Sequence, residues 1–148
     1  MNSLELLHTT TFSRNELEYL NSQRLARLAT ANADGTPHVV PVGFQVSEDG
    51  AAIDVGGPGF ARSKKYRDLQ ANPKVAIVID DLASVEPWAP RGIEIRGIGE
   101  LHEAGGVEKF GPGWDEPWVR IAPERVISWG VEGPFSPAGR SARTISRA

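Results

Sequence analysis

The segment Arg62-Ser63-Lys64-Lys65-Tyr66-Arg67 places four cations within six residues, directly after the glycine-rich bend Gly56-Gly57-Pro58-Gly59. A helix starting there presents free N–H groups and the positive end of its macrodipole, which together favour a phosphate. Lys65, with Lys64 beside it, supplies point charge, Ser63 a hydroxyl donor, and Arg62 a guanidinium able to grip an anion with two bonds. The same residues have a purely structural reading, in which Ser63 caps the helix and the cations form a solvated face. Spacing alone leaves both open. Trp88, in the stiff stretch Pro87-Trp88-Ala89-Pro90-Arg91, either stacks on a planar ligand or fills a subunit interface. Trp114, Trp118 and Trp129 read as core or interface residues.

Other chemistries find no support. Gly57 to Arg62 starts like a dinucleotide fingerprint but has Arg62 at the third glycine and sits among strands, so that reading falls. Neither a Walker pattern nor a Gly-x-Ser-x-Gly elbow is present. His8, His38 and His102 are scattered, with no pair at metal-ligand spacing, so no metal site is expected. The absence of cysteine removes disulfides, thiolate catalysis and iron–sulfur clusters. No acid–base constellation emerges, and no catalytic proton donor is named.

The 148 residues suit one domain, with 40% hydrophobic and 24% charged residues, close to a soluble globular average. Sixteen glycines and eleven prolines point to many turns and short strands. A net charge of −3 argues against a nucleic-acid partner. The longest clean apolar run, Val75–Ile79, is far short of the ~20 residues a membrane span needs. Met1–Thr11 lacks a basic start followed by an apolar stretch, so a cytoplasmic protein is expected.

Ser13 and Glu16 form a capping box, with Phe12 and Leu17 as its hydrophobic staple, and predict a helix over Arg14–Ser22. Alternation from Arg24 to Thr30, the turn Asn32-Ala33-Asp34-Gly35, a β-branched run over Pro37–Val46 and a third strand over Ala51–Val55 predict an antiparallel meander. Ser63–Ala71 reads as a short helix ended by Asn72-Pro73. Lys74–Asp80, Ile93–Leu101, Trp118–Ile121 and Arg125–Val131 read as strands, Asp81–Arg91 as a loop and Glu103–Pro117 as irregular. The pattern predicts a mainly β (α+β) antiparallel barrel with a few short helices, spanning residues 1–133. The Pro, Ser, Gly and Arg-rich tail 134–148 is expected to be disordered or to pack on a partner subunit.

Several stretches resemble a known family. Arg27-Leu28-Ala29-Thr30 with Asp34 to Val42 resembles the opening hairpin of the flavin- and deazaflavin-binding split β-barrels, the pyridoxamine-phosphate-oxidase-like proteins. Ser63-x-Lys65-x-Arg67-Asp68-Leu69 with Asn72-Pro73-Lys74 is similar to their phosphate-binding helix. Pro87 to Gly97 and Arg120 to Gly130 resemble the branch that uses the deazaflavin coenzyme F420.

The resemblance implies a split-barrel homodimer with cofactor sites at the interface. It implies that backbone at Val39, Val40, Pro41 and Val42 faces the cofactor ring, that Arg62, Ser63, Lys64 and Lys65 hold its phosphate, and that Trp88 approaches the site, in some members from the partner. The expected function is then an F420-dependent reductase passing a hydride to an unsaturated or conjugated small molecule. An FMN-binding oxidase or flavin reductase, and a non-catalytic flavin- or deazaflavin-binding protein, are the alternatives. Lys64, Arg67 and Arg91 are available to the oligoglutamate tail of F420, which favours the deazaflavin. The bend Gly56–Phe60 departs from the family pattern and would either widen the pocket or add backbone donors. The tail lacks the Arg-x-His ending that pyridoxamine phosphate oxidases use, which argues against that vitamin activity.

Overall fold

Ser13 sets the first element. In the computed structural model, which describes residues 11–146, its Oγ accepts from the Glu16 backbone N–H at 3.1 Å, while the Glu16 carboxylate accepts from Ser13 N–H at 2.8 Å. This capping box starts α1 (Arg14–Ser22) as the sequence predicts. Eight strands follow: β1 (Leu25–Ala31), β2 (Pro37–Gly43), β3 (Gln45–Val46), β4 (Ile53–Val55), β5 (Lys74–Ser84), β6 (Ala89–His102), β7 (Trp118–Trp129) and β8 (Ser141–Thr144). Between them lie a 3₁₀ turn (Phe60–Arg62), α2 (Lys64–Ala71) and α3 (Gly106–Phe110).

All pairings are antiparallel, in the order β2-β1-β5-β6-β7-β4-β3, with β8 on β7. Alternate residues turn inward along each strand, so Leu28, Ile77, Ile95, Ile121 and Ile53 meet in one core, each fully buried. Burying each such side chain contributes roughly 1.5–3 kcal/mol. The sheet curls around this core as the expected split half-barrel. Pro41 is tolerated in β2 because, among the described residues, that strand is paired on one side.

Four local expectations are corrected. The stretch Asp81–Arg91 is not a loop: the ladder continues through Asp81↔Arg91 and Leu82↔Pro90, leaving only residues 85–88 as the connection. Arg91 extends it by donating to Asp81 from Nε at 2.7 Å and Nη2 at 2.9 Å. The two expected strands after Trp118 are one, because a bulge opposite Arg96 and Gly97 takes up Glu124 and leaves Pro123 paired with Gly97. A Cβ at Gly97 would lie 2.0 Å from the Ala122 carbonyl oxygen, so only glycine fits there. The irregular stretch 103–117 contains α3. Finally, the tail supplies β8, paired over Arg125–Ser128 within the same chain, because Arg143 reaches the buried Glu16 carboxylate. Among the described residues, no helix is long and apolar enough to cross a membrane.

Candidate functional site

The glycine-rich bend turns into α2 through Gly59, whose φ of 72° permits the left-handed start of the 3₁₀ turn. Ser63 then caps α2. Its Oγ accepts from Tyr66 N–H at 3.3 Å and donates to the Phe60 carbonyl at 2.6 Å. The Ser63 carbonyl takes the Arg67 N–H, which leaves the N–H groups of Lys64 and Lys65 as the open donors of the first turn. The Ser63 hydroxyl proton is therefore already committed within the chain.

The four cations divide. Lys64 Nζ binds Asp68 Oδ1 at 3.0 Å, and Asp68, which is buried, also accepts from Thr30 Oγ1 at 2.9 Å. Burial pushes the Asp68 carboxyl up, but these two bonds more than offset it and hold it below the ordinary range. Arg67 donates to the Arg62 carbonyl at 3.1 Å. By contrast, Lys65 and Arg62 have no acidic partner among the described residues. The Lys65 ammonium lies 5.6 Å from the Phe60 ring centre, and burial holds it below the ordinary lysine range. Two cations without an acid, beside two open N–H groups, make a turn suited to an anion.

The bend itself offers fewer donors than expected. Asp115, in the connection after α3, accepts from Gly59 N–H at 3.2 Å and Ala61 N–H at 3.0 Å. Those two donors are spent on a carboxylate of the same chain. Sequence spacing gave no signal of it, since the residues lie more than fifty positions apart.

Val39, Val40, Pro41 and Val42 all lie on β2, whose outer edge has no strand partner among the described residues. Val42 is buried, Val40 packs against the core, and Val39 is 64% exposed on the outer face. At the head of this stretch His38 buries Nδ1 without a hydrogen-bond partner among the described residues. Val39 shares an apolar hollow on the outer sheet face with Ala29, Ala76, Val78 and Trp129, an uncovered surface of the kind that marks an interface. Trp88 stands apart at the β5–β6 hairpin tip, 63% exposed, with Val85 beside it. Among the described residues it makes no hydrogen bond or ring contact with α2 or β2, so the single chain does not bring it to the start of α2. Arg91, chelated to Asp81, is likewise no free rim cation.

Two features escaped sequence reasoning. The first is a cleft of about 490 Å3 framed by the end of α1, Phe44 and Gln45 at the β2–β3 junction, the Gly56–Pro58 bend, Phe110 and Trp114. The second is a buried cluster behind it. Asp54, fully buried, accepts two bonds from Arg120 at 2.9 and 3.0 Å and one from Lys109 at 2.9 Å. Both cations lie over the Trp118 ring, which stacks on His102 at 4.2 Å. The cluster ties α3 to β4 and β7, and so fixes Phe110 at the cleft.

Comparison with known proteins agrees with this architecture. Residues 13–130 match the family model described as pyridoxamine 5'-phosphate oxidase. The chain is 38% identical, over 91% of its length and 94% of the relative's, to a 5a,11a-dehydrotetracycline/5a,11a-dehydrooxytetracycline reductase of Streptomyces rimosus. Among solved structures, a conserved hypothetical protein of Mycobacterium tuberculosis superposes with a TM-score of 0.64 at 23% identity, covering 88% of this chain and 94% of that one. A putative pyridoxamine 5'-phosphate oxidase of Lactobacillus delbrueckii gives a TM-score of 0.59 at 22% identity, covering 78% and 92%. With strand order and family match in agreement, the chain is an enzyme of the pyridoxamine 5'-phosphate oxidase family, an oxidoreductase on the split-barrel fold.

Proposed function

We propose that this enzyme is a reductase that uses the deazaflavin coenzyme F420 to reduce an unsaturated or conjugated small molecule. The observation that carries the reading is the 38% identity, over almost the whole chain, to a reductase named for dehydrotetracycline substrates. The residues present fit a phosphate-bearing cofactor: two cations without acids, two open helix N–H groups, and an orphaned His38 Nδ1 beside an unpaired strand edge. When bound, the reduced deazaflavin supplies a hydride.

The chain's own part is to bind, orient and shield. Lys65 and Arg62 hold the phosphate, Lys65 as a point charge and Arg62 as a fork. The Lys64 and Lys65 N–H groups add directed bonds, while the Lys64 side chain braces Asp68 and through it Thr30 of β1. The free edge of β2 from Val39 to Val42 lies along the ring, and its inward side chains keep the strand fixed on the core. A second copy of the chain covers the hollow around Val39 and brings its Trp88 over the site, so the active form is a homodimer. Protonation of the acceptor is left to solvent.

FMN is the second reading, favoured by the family description, because it carries a phosphate at the same end. Of the cations considered for the oligoglutamate tail, Lys64 and Arg91 are paired and Arg67 remains exposed. The test is the absorption spectrum of the purified protein, followed by titration with F420 and FMN at low and high salt. Tighter F420 binding that weakens as salt screens the tail supports the proposal. Bound FMN, or equal and salt-independent affinities, favours the second reading. Cofactor binding without turnover over a panel of conjugated ketones would make the protein a carrier.

A further inference from the structure

We infer that the cleft beside the anion turn is the acceptor pocket, and that it takes a planar, fused-ring ketone bearing an ionised enol or phenol oxygen. The inference rests on the proposed function and adds the place and chemistry of its substrate. None of the residues expected to hold the cofactor lines this cleft. It is nevertheless contiguous with them, because Gly56–Pro58 on its wall runs directly into Gly59 and the Phe60–Arg62 turn.

Its volume, about 490 Å3, lies within the range of small-molecule sites. Its walls suit a flat ligand. Phe44, Phe110 and Trp114 present rings, and two of them are held in place. The Phe110 ring rests on the backbone at Gly56, where a Cβ would come within 2.7 Å of it, and meets Trp118 edge-on at 6.4 Å. Trp114 is tethered by its neighbour Asp115, whose carboxylate is bonded to the same turn that carries Arg62. Gly43, on the wall at the end of β2, has space around it: a Cβ there would meet nothing within 4 Å.

Among its polar groups are donors open to an oxygen. The side chains of Arg24, Gln45 and Trp114 have no hydrogen-bond partner among the described residues, and Arg24 has no acid. Reduction of a conjugated ketone forms a C–H bond at the β-carbon and moves the alkene electron pair to the carbonyl oxygen as an enolate. A proton from water at the α-carbon then restores the ketone. The hydride, with its two electrons, comes from the reduced deazaflavin, which is oxidised. A guanidinium and an indole N–H facing that oxygen stabilise the developing negative charge.

The test titrates anthraquinone-2-sulfonate, a planar anionic fused-ring ketone, into the cofactor-free protein, read by calorimetry and tryptophan fluorescence. Binding should quench fluorescence, with most of the quench lost in Trp114→Phe. Gly43→Leu, which fills the space, and Arg24→Gln should each raise the probe's dissociation constant about tenfold or more, with F420 affinity changed less than about twofold. Lys65→Ala should do the reverse. Gly43→Ala replaces Gly43→Leu if circular dichroism shows the larger variant misfolded, and Arg24 is exposed, so its variant tests the site without that risk. The inference is overturned if the wild-type protein does not bind the probe, or if both variants bind it unchanged. A parallel loss of F420 affinity also overturns it, since the cleft would then be part of the cofactor's own site. An F420 affinity unmoved by Lys65→Ala instead strikes the proposed function and leaves the probe result to judge the cleft.

Discussion

Two charged regions of this molecule are built on opposite rules. At the corner of α1, β5, β6 and β8 the main charges are closed into pairs: Arg143 donates to Glu16 and to the Thr11 carbonyl, and Arg91 chelates Asp81, which also accepts from Tyr19 at 2.9 Å. At the start of α2, Lys64 is paired but Arg62 and Lys65 face no acid among the described residues. The closed corner fixes chain geometry, and the open turn leaves the two cations that the proposed function assigns to a phosphate. Position in sequence does not distinguish them, because Arg143 and Lys65 are both cations in polar stretches. What distinguishes them is whether a buried carboxylate waits opposite.

The sharpest break of this contrast is Arg143→Met. It leaves the fully buried Glu16 without its cation and should cost roughly 3–5 kcal/mol, read by urea unfolding, with cofactor affinity unchanged. A loss under about 1 kcal/mol would show that the corner is ornament rather than strap. Lys65→Ala should behave in mirror image. Cofactor affinity should fall about ten- to hundredfold, roughly 1.5–3 kcal/mol, while stability stays within about 0.5 kcal/mol.

Acid should sharpen the same comparison. Burial pushes the Glu16 carboxyl up, but its bonds from Arg143 and the Ser13 N–H, with the attraction of Arg143, bring it below the ordinary value. The bond from Arg91 does the same for Asp81. A carboxyl lowered by folding adds stability that is complete above its unfolded value and is lost as pH falls through the folded one. Thermal stability should therefore decline below about pH 4. The gap between wild type and Arg143→Met should narrow there, because the stranded Glu16 becomes neutral. Least affected will be Arg14→Ala. Its 3.6 Å pair with Glu18 is exposed on both sides, and denaturation should move by no more than about 0.5 kcal/mol.

What the sequence revealed and what it hid follow from range. The capping box of α1, the Asn32–Gly35 turn and the Ser63 cap are short-range devices, each written within five residues, and each stands where the pattern puts it. The cation run from Arg62 to Arg67 at a helix start was legible for the same reason, and its hold on a phosphate is part of the proposed function. The Asp54–Arg120 pair joins residues 66 apart, Glu16–Arg143 joins residues 127 apart, and Asp115 crosses to the bend from beyond α3. None of these has a local signature. Periodicity failed twice, at the β5–β6 hairpin and around Pro123, because the ladder continues there through a hairpin end and a bulge that only the partner strand defines. The cleft was invisible because its walls come from five separate segments.

The last strand has a consequence for the behaviour of the protein in concentrated solution. Beyond its short pairing with β4 at Ile121, the outer rim of β7 would run bare from Arg125 to Ser128, a row of amide and carbonyl groups ready to recruit a strand from a neighbouring molecule. Ser141–Thr144 occupies that rim, and the Ile145 amide closes on the Glu124 carbonyl at 2.8 Å. The polar tail thus acts as a built-in guard against intermolecular strand addition. Removing it would turn a protected rim into a template for aggregation.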